Sequence, residues 1–298
     1  MQFSFHCAEC MLRMEMTRIR GQKDNAKKLA CAKEFCAVLA NAPEGVSAPV
    51  LVPQFDDVFD RYFSGEPDPQ LALKRKSGEV MLERLPAIRS LVFAADDPLY
   101  AALQYSRAAN YIDFASFGDQ VDFGVLDTLL SDAAKAPLDP DEYRHFLSDL
   151  RSADSLLLIA DNAGEIVLDR LVLEVLRARY PSLALTVCVR GGPSLNDALR
   201  EDAEAAGIPA LARLIDNGTR IGGMEPGYLS PESQEALDSS SLILAKGQAN
   251  LESLLGCGKN IYYLFLCKCI RFQQMFDKPA MTGMFVNERR VRLADPTA

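Results

Sequence analysis

A chain of 298 residues, 49% hydrophobic and 24% charged, has the composition of a soluble globular protein and the length to bury a sizeable core. Its 41 acids outnumber 32 bases, a formal net charge of −9. That balance disfavours a nucleic-acid binder, whose affinity comes mainly from Lys and Arg neutralising phosphates.

The N-terminus, MQFSFHCAEC, lacks the basic region and long apolar stretch of a signal peptide. The longest apolar run near the other end, IYYLFLC, is far shorter than a membrane span. Eight cysteines in a chain that needs no staples suit a reducing compartment, so the expected location is the cytoplasm, with no membrane partner. Residues 1–150 carry helical periodicity in CMLRMEMTRIR, NAKKLACAKEFCAVLA and LALKRKSGEVMLERLPAIRSLV, broken at NAPEGVSAP, SGEPDP and DDP. This half is predicted to be an α-helical lobe. From residue 151 to 298, apolar runs at 155–160, 183–189, 210–216, 241–247 and 261–267 alternate with helical stretches. Continuous apolar strands separated by helices predict a mostly parallel sheet covered on both faces, a Rossmann-like three-layer α/β/α domain.

Ligands of such sheets bind beyond the carboxyl ends of the strands. The first predicted strand ends in Asp161, Asn162, Gly164 and Glu165, and the second in Arg190-Gly191-Gly192 followed by Asn196-Asp197. The third ends in Asp216-Asn217-Gly218, and the fourth in Lys246-Gly247-Gln248 with Asn250 and Glu252 close behind. Acids, amides and one lysine on one edge are hard-oxygen chemistry, suited to Mg²⁺ or Mn²⁺ and a phosphate. No strand leads into a glycine pattern for a dinucleotide or P-loop nucleotide, and with only His6 and His145 available a serine triad is disfavoured. A plainer reading makes Asn162-Ala163-Gly164-Glu165 a capping box with Asn162 as N-cap, and Glu165 with Asp169 a solvated acidic stripe. Lys246 is likewise either a surface lysine or, beside Gly247, a phosphate clamp.

DNAGE at 161–165, Asn196-Asp197 and AKGQANLESL from 245 together resemble the damage-control phosphatases, formerly domain-of-unknown-function 89. So does Asn110-Tyr111-Ile112-Asp113, similar to a GN-x-x-D segment with Ala109 in place of glycine. Cys7-x-x-Cys10 and Lys268-Cys269 are similar to the prokaryotic branch. The resemblance implies a helical lobe on a Rossmann-like domain and a metal-dependent phosphatase of sugar phosphates or damaged phosphate metabolites, using Co²⁺, Ni²⁺, Mn²⁺ or Mg²⁺. Carried over by position, Asp161, Asn162 and Asp197 hold the metal, Lys246 grips the phosphate, and Asn110 and Asp113 complete the pocket from the helical lobe. Asn196 and Asn250 join the substrate contacts, and Glu165 orients the attacking water from behind. The family's ND-x-T reads Asn196-Asp197-Ala198-Leu199 here, so its hydroxyl is missing.

Two rivals remain at the same strand-end pocket: an S-adenosylmethionine methyltransferase, since acids after strands often hold ribose hydroxyls, and a non-catalytic metabolite binder. A methyltransferase expects a glycine-rich first turn, which DNAGE does not supply. Cys7-x-x-Cys10 is readable as a redox pair, as half of a four-thiolate site with Cys267 and Cys269, or as packing. Cys31, Cys36 and Cys188 read as core residues.

Overall fold

The computed structural model of the protein describes residues 1–65, 69–112, 123–133 and 135–294. Three N-terminal helices, α1 (Phe5–Arg20), α2 (Asn25–Ala40) and α3 (Val52–Phe63), enclose their own core around Met11, Phe35, Phe55 and Phe59. The Asp24 carboxylate starts α2 by accepting from the Ala26 and Lys27 amides, the usual way an aspartate satisfies free N–H groups. Arg18 crosses to Asp56 at 2.7 Å and lies 3.9 Å above the Phe59 ring, so its charge is both paired and stacked.

The next helices are α4 (Pro69–Ala94), α5 (Pro98–Ala109), α6 (Phe123–Ala133) and α7 (Pro140–Ser152). The α/β region follows as β1 (Ser155–Ile159), α8 (Ile166–Arg179), β2 (Ala184–Val189), α9 (Arg200–Ala205) and β3 (Arg213–Asp216). It continues with α10 (Pro231–Ser239), β4 (Leu242–Lys246), α11 (Gly247–Leu254), β5 (Ile261–Cys267), α12 (Ile270–Phe276) and β6 (Thr282–Asn287). The sheet order is β3-β2-β1-β4-β5-β6, with β1 to β5 parallel and β6 antiparallel to β5.

Alternate residues of β1 feed opposite cores. Leu156 and Leu158 face α4, α5, α7 and α8, while Leu157 and Ile159 face α10, α11 and α12. That two-sided burial is why the strands read as unbroken apolar runs. The result is the expected α/β/α sandwich. The expected boundary at residue 150 falls in the last turn of α7, and the cores divide elsewhere: α4 to α7 pack directly on the sheet, and α1 to α3 stand on a separate core.

Two elements differ from expectation. The run 210–216 begins as a 3₁₀ turn at Ile208–Ala210, where Pro209 has no N–H for a ladder, and becomes strand only at Arg213. A sixth strand, absent from the sequence expectation, adds TGMFVN at the sheet edge; its short length and internal glycine hide it from strand patterning. Gly283 is needed there: a Cβ would sit 2.6 Å from the Arg107 guanidinium laid across the strand. Among the described residues, no helix is long and apolar enough to cross a membrane.

Candidate functional site

The order β3-β2-β1-β4 reverses direction between β1 and β4, and a crevice opens beyond the carboxyl ends of those two strands. Asp161 and Asn162 leave β1 there, and Lys246 and Gly247 leave β4. The loop after β2 folds back onto β1: the Ala163 amide donates to the Asn196 carbonyl (3.0 Å) and the Ala198 amide to the Asp161 carbonyl (2.7 Å). These bonds bring Asp161, Asn162, Asn196 and Asp197 to one wall of a cavity of about 590 Å³. The facing wall is α1, through His6, Cys10, Arg13 and Met14, together with Lys268 and Gln273. Glu252 lies on the same wall, its carboxyl pushed up to about 7 by burial.

The carboxamide of Asn162 is fixed by what lies behind it. Its Nδ2 donates to Asp161 Oδ2 (2.9 Å) and Glu165 Oε2 (3.0 Å), which leaves Oδ1 as the face free for a cation. Asn110 Nδ2 donates to the same two oxygens at 2.9 Å each, while its Oδ1 accepts the Leu266 amide of β5. Asn110, expected to touch substrate, is instead a brace behind the acids and does not line the cavity. The capping box does not form: α8 starts at Ile166 with Glu165 at its N-cap and no side-chain cap hydrogen bond, and the Glu165 carboxylate accepts from the Asn162 side chain. Asp113 lies outside the described residues.

Glu165 and Asp169 are no solvated stripe; both are fully buried. Lys246, also fully buried, donates to Glu165, to Asp169 Oδ1 (2.8 Å) and to the Ser106 carbonyl (3.1 Å). Burial works against its ammonium, but the two carboxylates more than offset that and its pKa is raised. Asp169 is raised too, by burial first and then by Glu165, against the pull of Lys246. The expected phosphate clamp therefore spends its charge inside the protein, away from the cavity. Asn250 is likewise turned inward, its Nδ2 tying the Ala160 and Lys246 carbonyls together at the ends of β1 and β4.

Three residues of the site have no role assigned from sequence. Arg190 follows β2 directly, yet nothing in the sequence separates it from a surface arginine; its buried Nε meets Asp197 Oδ2 at 2.5 Å, and its other arm lies 4.0 Å from Asp161. Lys268 reaches the cavity from the end of β5, where Gln248 Oε1 holds its backbone amide at 2.7 Å. Ser194 lines the cavity two residues before Asn196, with no motif to announce it. Asn217, given no role from sequence, braces the loop: its Oδ1 accepts the Gly191 and Thr219 amides and its Nδ2 donates to the Ile221 and Gly223 carbonyls.

Two glycines allow a close approach here. A Cβ on Gly164 would lie 3.1 Å from Ser77 of α4, and one on Gly247 (φ +73) would collide with the Asp161 carboxylate at 1.9 Å. Gly247→Ala should therefore displace Asp161 and strain the backbone, costing about 1–3 kcal/mol and most of the activity, read by thermal melting and steady-state kinetics. Unchanged kinetics would mean that Asp161 tolerates movement.

The thiols also sort by structure. Cys31 and Cys188 are buried as expected, but Cys36 is exposed, because the buried stripe of α2 runs through Cys31 and Phe35 and the next residue turns outward. Cys267 belongs to the sheet core while Cys7, Cys10 and Cys269 line the cavity. Among the described residues no group of three or more His, Cys, Asp or Glu side chains is placed to hold a metal. A metal at the crevice would thus rely on two carboxylates and an amide.

Residues 4–280 match the family model described as the damage-control phosphatase ARMT1-like domain. A damage-control phosphatase of Archaeoglobus fulgidus is 32% identical over 207 residues, 69% of this chain and 70% of that protein. One from Pyrococcus horikoshii is 31% identical over 208 residues, 70% of each. The fold is also similar to the crystal structure of a DUF89 family protein from Pyrococcus horikoshii, with a TM-score of 0.83 over 97% of this chain and 99% of that one, at 24% identity. The chain belongs to the damage-control phosphatase ARMT1-like domain family.

Proposed function

We propose that the chain is a cytoplasmic, metal-dependent phosphatase that hydrolyses a small phosphorylated metabolite. The observation that carries the reading is the set of hard oxygens that Asp161, Asn162 and Asp197 bring to one cavity. Asp161, Asp197, Glu165 and Asp169 are buried acids in contact with two fully buried cations, Lys246 and Arg190. The donor chemistry fits: two carboxylates and the outward Asn162 Oδ1 are the hard oxygens that Mg²⁺ or Mn²⁺ selects. The names of the relatives, damage-control phosphatases, point to the same reaction class.

Asp161, Asn162 and Asp197 would hold the ion, with Glu165 and Asn110 fixing their orientation from behind. A divalent ion at this place supplies Lewis-acid polarisation of a phosphoryl oxygen and a lowered pKa for the attacking water. Lys268 places positive charge on the cavity wall, where an anionic substrate enters a mostly acidic protein. The cavity holds the organic part of the ester against α1, with Met11, Met14 and Val52 as its apolar contacts.

The test is a metal add-back. Protein stripped with chelator and assayed on a generic phosphate ester should be inactive, and Mg²⁺, Mn²⁺, Co²⁺ or Ni²⁺ should restore turnover. Full activity in chelator would overturn the metal, and failure to turn over any ester with any of the four metals would overturn the phosphatase.

A further inference from the structure

We propose that Ser194 donates a hydrogen bond to a phosphoryl oxygen of the substrate, an inference that rests on the phosphatase reading. Ser194 is 1% exposed and lines the cavity, yet its Oγ has no hydrogen-bond partner among the described residues. A buried hydroxyl left unpaired in a native protein calls for a reason.

A serine opening a turn ordinarily uses its hydroxyl to accept an amide two or three residues on. Here the Asp197 amide goes to the Ser194 main-chain carbonyl at 2.9 Å, and the hydroxyl is left out of the turn. The next residue, Leu195, adopts φ +46, a left-handed conformation that disfavours a bulky side chain. Packing of the Leu195 side chain against the core of α1 to α3 offsets that cost and fixes the turn. Across from it, a Cβ built on Gly222 would lie 3.8 Å from Ser194 Oγ and 3.7 Å from Asp197 Oδ2. Serine and aspartate therefore flank one small space, kept open by the glycine.

The chemistry of the wall says what belongs in that space. Asp161, Asp197 and the outward Asn162 Oδ1 are all acceptors, adequate for a cation but repellent to a phosphoryl oxygen. A phosphate beside them needs donors, and a serine hydroxyl carries a proton it can turn toward the ligand. The hydroxyl missing from the position two residues after Asp197 is in this way supplied from three residues before it.

Wild type and Ser194→Ala, both loaded with Mn²⁺, would be titrated calorimetrically with inorganic phosphate, with Mn²⁺ titrated alone into the stripped proteins and ester turnover of the wild type measured alongside. The expected result is phosphate binding about tenfold weaker in Ser194→Ala, with Mn²⁺ affinity and melting temperature unchanged. Equal phosphate affinity in the two proteins overturns the inference while leaving the phosphatase reading intact. A Mn²⁺ affinity about tenfold weaker in the variant also overturns it, because the hydroxyl would then be a metal ligand. A wild type that neither turns over ester nor binds phosphate would overturn both.

Discussion

Asp161→Asn should lower kcat/KM by on the order of a thousandfold, the loss expected when a group that stabilises transition-state charge is removed. Its Oδ2 already accepts from both Asn110 and Asn162, so an amide at this position must either turn its NH₂ toward those donors or rotate it into the cavity. In the first orientation two buried hydrogen bonds are lost; in the second the cation meets a donor instead of an acceptor. Either way, Mn²⁺ affinity measured by calorimetry should fall by about tenfold or more. The fold should persist, since the carboxylate faces a cavity and not a core. A variant that keeps both its metal affinity and its rate would remove Asp161 from the site.

Lys246→Met should act on stability first. Removing one partner from a buried ion pair typically costs about 3–5 kcal/mol, because the remaining charges stay desolvated and unpaired. Here two carboxylates, Glu165 and Asp169, would be stranded at the start of α8. At about 2–4 °C per kcal/mol, melting should drop by roughly 6–20 °C. The sign of the pH dependence follows from Asp169, whose pKa is already raised by burial and would rise further without the ammonium. A raised carboxyl binds its proton more tightly folded than unfolded, so the variant's deficit should be small at acid pH and grow as pH climbs through that raised pKa. Adding Glu165→Gln and Asp169→Asn should recover much of the melting temperature. A lysine that gripped phosphate would behave differently: KM would rise, melting would stay put, and the added amides would rescue nothing.

The strands were legible where burial on both sheet faces left an unbroken apolar run, as in SLLLI and IYYLFLC. The acids at the end of β1 were legible for a related reason, since ionisable residues at the mouth of a buried strand need a partner. Position in the sequence places Lys246 at the ligand-binding edge but does not tell whether its side chain points into the crevice or behind it. That depends on α8, which brings Glu165 and Asp169 underneath, and on the Ser106 carbonyl at the end of α5, 140 residues earlier. The same holds for Asn110: the sequence shows its neighbourhood but not its direction. Ser194 left no trace in pattern or motif, because what distinguishes it is a bond its hydroxyl does not make.

The brace at Asn110 has a consequence for the order in which the molecule is built. Its side chain joins Asp161 and Glu165 to the Leu266 amide, 156 residues further along the chain, and Lys246 meets Glu165 across 81 residues. During synthesis the acids at the end of β1 leave the ribosome well before Lys246 and strand β5, which complete their bracing. Contacts of such long sequence separation form late and slowly, after the local helices have closed. The crevice is thus among the last parts of the molecule to assemble, and a nascent or C-terminally truncated chain would carry helices and a partial sheet without a finished site.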